Sequence, residues 1–142
     1  MLGKCLCEAV QFEIIQPLPA MYQCHCSLCR RVTSSACNSS LIIPIEQLRW
    51  ISGENNIQSF IKNSGYRVDF CKTCGSPTAN EMRDQKHAWI PVGALENSDE
   101  LEMGAHLFMD SKAQWDQVGD SGKKYSDMPE IKELIHQLYA TQ

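Results

Sequence analysis

Three cysteines crowd into six residues at Cys24-His25-Cys26-Ser27-Leu28-Cys29, a CxC step running straight into a CxxC step. Two further pairs lie elsewhere in the chain: Cys5 with Cys7, and Cys71 with Cys74 in the run Phe70-Cys71-Lys72-Thr73-Cys74-Gly75. A tetrahedral zinc takes sulfur ligands at about 2.3 Å, and thiols this close in sequence reach one ion with little loop-closure cost. The two pairs together offer four sulfurs and the triplet offers three. That count predicts one sealed structural metal and one metal with an open position.

Compartment and charge bear on how the cysteines are read. No charged start and apolar run marks a secretory signal, and no apolar stretch approaches the roughly 20 residues of a membrane span, so the expected location is the cytoplasm. Thiols stay reduced there, and eight cysteines in close-set pairs read as metal ligands before disulfides. The formal net charge is already -4, and seven thiolates against two divalent ions would lower it further. A chain this acidic is a poor binder of nucleic-acid backbones. At 142 residues, without repeat or long linker, one domain over residues 1–142 is expected.

Along the chain, Val10, Phe12 and Ile14 alternate with polar residues as in a half-buried strand. Strand periodicity extended back to Cys5 and Cys7 would put both sulfurs on one face. A short strand from Ala20 to Gln23 delivers the chain into the cysteine triplet. β-type runs follow over 41–45, 48–51, 57–61 and 66–70, and again over 77–82, 87–95 and 105–109. With no helical period between them, these runs predict a mainly β, antiparallel body. Gly75 can take the positive φ that a CxxCG turn requires. Asp127 as N-cap, Pro129 in the first turn and Glu130 open a short C-terminal helix at about 128–140, with Ile131, Leu134, Ile135 and Leu138 as its apolar stripe. Arg30 and Arg31 beside the triplet are candidate anchors for an anionic substrate. His25 is set aside as a ligand, because adjacency to two ligands strains chelation of the same ion. Cys37, outside any paired spacing, reads as a small buried side chain. The polar stretch 110–128 reads as a surface loop or as a flap over the open metal.

Taken in order, these motifs resemble the glutathione-dependent formaldehyde-activating family. The resemblance rests on GxCxC (Gly3, Cys5, Cys7), CHCxxCR (Cys24 to Arg30), FCxxCG (Phe70 to Gly75), Val92-Gly93-Ala94-Leu95, and His106-Leu107-Phe108 with Ser111-Lys112-Ala113 and Trp115. It implies an Mss4-like β-sheet (β-tent) fold. It also implies a structural zinc on Cys5, Cys7, Cys71 and Cys74, and a second, catalytic zinc on Cys24, Cys26 and Cys29. The implied partner is a small-molecule thiol, glutathione, and the implied activity that of a carbon-sulfur lyase joining it to formaldehyde.

Charge supports a thiol at the open position. Three thiolates around one divalent ion sum to -1, a weaker Lewis acid than a trihistidine site, which disfavours hydrolysis. Two rival readings stand beside the lyase: a zinc scaffold or thiol carrier without catalysis, and a zinc-ribbon interaction module, which the negative charge opposes.

Overall fold

A computed structural model describes residues 1–141; Gln142, the last residue of the expected domain, lies outside the described residues. The strands are β1 (Leu2–Lys4), β2 (Gln11–Ile14), β3 (Met21–Cys24), β4 (Asn38–Pro44), β5 (Leu48–Ser52), β6 (Ile57–Ile61), β7 (Arg67–Cys71), β8 (Asn80–Glu81), β9 (His87–Pro91), β10 (Met103–Leu107) and β11 (Lys123–Lys124). The helices are α1 (Ser27–Thr33) and α2 (Ile131–Ala140). The chain is therefore mainly β, with two helices where the sequence announced only the C-terminal one. The described residues divide into two compact units, one of residues 1–18 with 42–99 and the other of 19–41 with 100–141.

In the first unit β1, β2 and β5 form an antiparallel sheet, while β6 with β7 and β8 with β9 are antiparallel pairs. Alternation in β2 buries Phe12 and Ile14, as the pattern of the segment predicts. Gly3 lies against the Phe12 ring, where an added Cβ would fall 2.3 Å from ring carbon Cζ. The position therefore has room only for hydrogen.

In the second unit β3 pairs antiparallel with β4, but β10 pairs parallel with both β3 and β11. The antiparallel expectation fails here because β3 and β10 are far apart in sequence and no hairpin constrains their direction. Phe108, at φ 58°, turns the chain out of the strand two residues before the apolar run predicts. Helix α2 buries Leu134 and Leu138 completely and leaves Ile131 and Ile135 half-buried. An added Cβ at Gly104 on β10 would sit 2.9 Å from both Ala20 Cβ and Leu138 Cδ2, so the helix approaches this strand only over glycine. The N-cap of α2 is Glu130 and not Asp127, and no side chain caps it.

Candidate functional site

Cys5 and Cys7 reach each other through a turn, and not through the strand alternation expected of them. The Glu8 amide donates to the Cys5 carbonyl at 2.9 Å, Glu8 takes φ 61°, and the chain reverses before β2. Cys71 ends β7, and Gly75 at φ 75° closes the CxxCG turn by donating its amide to the Cys71 carbonyl at 2.8 Å. The two turns bring four sulfurs within 4.8 Å of one another. Cys5 and Cys7 Sγ are 3.6 Å apart, and Cys7 and Cys71 Sγ are 3.8 Å apart. Four sulfurs at about 2.3 Å from a tetrahedral zinc lie about 3.8 Å from one another, so this donor set fits the ion.

The surroundings suit thiolates. The Val10 amide and the Asn56 side-chain amide each stand 3.3 Å from a sulfur, those of Cys5 and Cys71 respectively. Such N–H donors steady charged sulfur. The Ser76 hydroxyl and amide, together with the Cys7 amide, lower the Cys74 thiol to about 5. Cys5, Val10 and Cys71 form a buried cluster with Trp50, Ile57 and Cys74 packed against it. Cys71 is wholly buried and Cys7 is exposed, so the site closes over one side and faces solvent on the other.

The second cluster is built by a strand running into a helix. Cys24 ends β3, and Cys26 is the N-cap of α1, its sulfur accepting from the Cys29 amide at 3.4 Å. Cys29 lies in the first turn of that helix, and the three sulfurs fall within 4.8 Å of one another. Only Cys26 is more than marginally exposed. Hydrogen bonding from the Cys24 and Cys29 thiols pulls the Cys26 thiol far below the ordinary range, while hydrogen bonds with Cys26 and Cys29, and burial, push Cys24 up. Cys37 is not in either cluster among the described residues. All eight cysteines are thiols and none forms a disulfide.

His25, between two of these thiols, is buried to 1% exposure and leads into a chain of hydrogen bonds that sequence reasoning missed. Its Nδ1 is 2.7 Å from Asp116 Oδ2, its Nε2 is 3.1 Å from His106 Nδ1, and His106 Nε2 is 3.0 Å from the Ser121 carbonyl. Acceptors stand at both ends, the Asp116 carboxylate and a carbonyl, so three links require three ring protons. Two neutral imidazoles carry only two. The pair therefore shares one extra proton, balanced by Asp116. Burial pushes His106 below the usual histidine range. The one sequence signal was the pairing of a histidine inside a ligand motif with another histidine on a strand; Asp116, 91 residues from His25, gave none.

Arg30 and Arg31, the candidate anchors, differ in surroundings. Arg30 Nη1 donates to the His25 carbonyl at 2.8 Å and to the Ser111 carbonyl, tying the loop after β10 to α1. Arg31 is exposed. Of the stretch expected to be a flap, Lys112 Nζ donates to the Asp116 carbonyl at 3.1 Å, so the loop is braced internally as well.

No described helix is long and apolar enough to cross a membrane. No curated protein sequence matches the chain significantly. Its fold is similar to the crystal structure of a Rhodobacter sphaeroides protein, with a TM-score of 0.58 and 25% identity, covering 72% of this chain and 99% of that one. The model of the glutathione-dependent formaldehyde-activating enzyme family matches residues 1–111. With that match over most of its length, and with both cysteine clusters assembled in the arrangement described, the chain belongs to the glutathione-dependent formaldehyde-activating enzyme family.

Proposed function

We propose that the chain is a zinc-dependent carbon-sulfur lyase, adding the thiol of glutathione to formaldehyde and reversing that addition. The observation that carries the reading is the inequality of the two clusters, four sulfurs in one and three in the other. Cys5, Cys7, Cys71 and Cys74 would hold a structural zinc. Cys24, Cys26 and Cys29 would hold a second zinc whose fourth position is left for a substrate sulfur. Bound there, the ion would supply positive charge that favours the thiolate form of an incoming thiol.

In the reaction a carbon-sulfur bond forms, the carbonyl π bond becomes a C–O single bond, and the thiol proton ends on oxygen, giving S-hydroxymethylglutathione. A free thiol with pKa near 8.5 is only about 3% ionised at pH 7, so deprotonation alone gains at most roughly 30-fold. Positioning must supply the rest, and effective molarities for well-placed reactants reach about 10⁵ M or more. The chain is built for positioning. All four ring nitrogens of His25 and His106 are engaged, so neither imidazole is aimed at a substrate. Their role is to fix the backbone between Cys24 and Cys26, while Arg30 ties down the His25 carbonyl. The absence of an open acid among these groups also favours a second reading, a thiol carrier that binds without accelerating the addition.

Hemithioacetal formation by Cys26→Ser, compared with the parent at matched zinc content in the four-thiol site, separates the two. A clear loss of rate is expected. Equal rates, or saturable glutathione binding by the parent with no acceleration, would remove the catalytic claim.

A further inference from the structure

One cavity of about 290 Å³ lies on the outer face of α1, lined by Ser27, Arg30, Arg31, Ser34, Ser35 and Trp115. Ser27, Arg30, Arg31 and Ser34 share one helical face by their spacing, and buried Cys29 falls on the opposite one. The lining contains two guanidinium groups, three hydroxyls and an indole, and no carboxylate, although the chain as a whole is acidic. Asp116, next to Trp115, has its carboxylate turned to His25. Arg30 is partly committed to two backbone carbonyls, whereas Arg31 has no acidic partner among the described residues. Ser34 ends the helix at φ 51°, a left-handed conformation that glycine adopts more easily, yet the position keeps a hydroxyl at the cavity. A set of donors without acceptor charge is complementary to an oxyanion.

The cavity and the three-thiol cluster share one short element. Cys26 caps α1, and Ser27 to Arg31 is about one helical turn, 5.4 Å of axis. One extended peptide residue spans about 3.3–3.6 Å. Ser27 and Arg30 of the lining adjoin Cys26 and Cys29 in sequence, so a peptide thiol with its sulfur at Cys26 would carry a carboxylate one or two residues away towards this cavity.

We infer that the cavity selects the substrate, Arg31 taking a carboxylate of an anionic peptide thiol and Trp115 forming the wall beside it. This rests on the thiol-addition reading above, and it adds the chemistry by which one thiol is chosen over another. Arg31 is then a specificity residue, dispensable for small neutral thiols.

Calorimetric titration of zinc-loaded parent and Arg31→Ala with glutathione, S-methylglutathione and 2-mercaptoethanol tests it. Loss of a charged hydrogen bond predicts glutathione binding at least about tenfold weaker in Arg31→Ala, with 2-mercaptoethanol binding unchanged. Trp115→Ala should weaken glutathione in the same selective way. Unchanged glutathione affinity in Arg31→Ala, or equal weakening of both thiols, overturns the inference. S-methylglutathione binding the parent as tightly as glutathione does would instead defeat the sulfur-first reading while leaving the carboxylate site standing. Failure of the parent to bind glutathione at all would defeat both.

Discussion

Replacing Asp116 by alanine removes the countercharge of a buried imidazole pair, and the structure sets the size of the loss. Asp116 Oδ2 accepts from His25 Nδ1 at 2.7 Å, with side-chain exposures of 9% and 1%. Without the carboxylate the pair has two responses. Keeping the shared proton strands a buried cation, which costs about 3–5 kcal/mol. Shedding it leaves each imidazole one proton, enough for His25 Nε2–H to donate to His106 Nδ1 and for His106 Nε2–H to donate to the Ser121 carbonyl, so that only His25 Nδ1 is stranded, at about 1–3 kcal/mol. The cheaper response, loss of the proton, decides, so a destabilisation of roughly 2 kcal/mol is expected, or a fall in Tm on the order of 7 °C for a chain of this size. Asp116→Asn keeps an acceptor for Nδ1–H but not the charge, and should fall between alanine and the parent. Thermal and urea unfolding in zinc-replete buffer measure both. An alanine variant as stable as the parent, or an asparagine variant as damaged as alanine, would refute the proton count.

Other outcomes follow from the same geometry. Apparent zinc binding in small zinc peptides is worth about 10–16 kcal/mol, comparable with the 5–15 kcal/mol that holds a domain folded, so chelation should lower the melting temperature steeply. A chelated sample that melts with the parent would contradict a structural role for Cys5, Cys7, Cys71 and Cys74. Gly104→Val must push apart Ala20 and Leu138, which an added Cβ would already meet at 2.9 Å, and should cost about 1–3 kcal/mol in urea unfolding. Unchanged stability there would mean that α2 does not rest on β10 as described.

The two cysteine clusters were legible because thiols able to hold a metal come in sequence-local pairs whose spacing is itself the chelating unit. Cys71 and Cys74 need only their own turn, closed by Gly75. Cys5 and Cys7 share one side as expected, but through a reversal at Glu8, since strand alternation and a tight turn both bring residues two apart together. Helix α1 went unseen because its seven residues are too few to show a 3.6-residue period and include Val32 and Thr33, β-branched residues that favour strands. The parallel pairing of β10 with β3 left no local trace, because no turn sequence encodes it. The Asp116, His25 and His106 chain was hidden for the same reason. Its members come from a loop, a strand end and a strand, and only the folded backbone assembles them.

Zinc K-edge absorption measures the sulfur count at the metal without recourse to turnover. With seven protein sulfurs shared by two ions, zinc-loaded protein should give an average of about 3.5 sulfurs per zinc, rising to about 4 when glutathione is added. An average of about 4 before any thiol is present, or one that glutathione leaves unchanged, would contradict the division into a closed site and an open one.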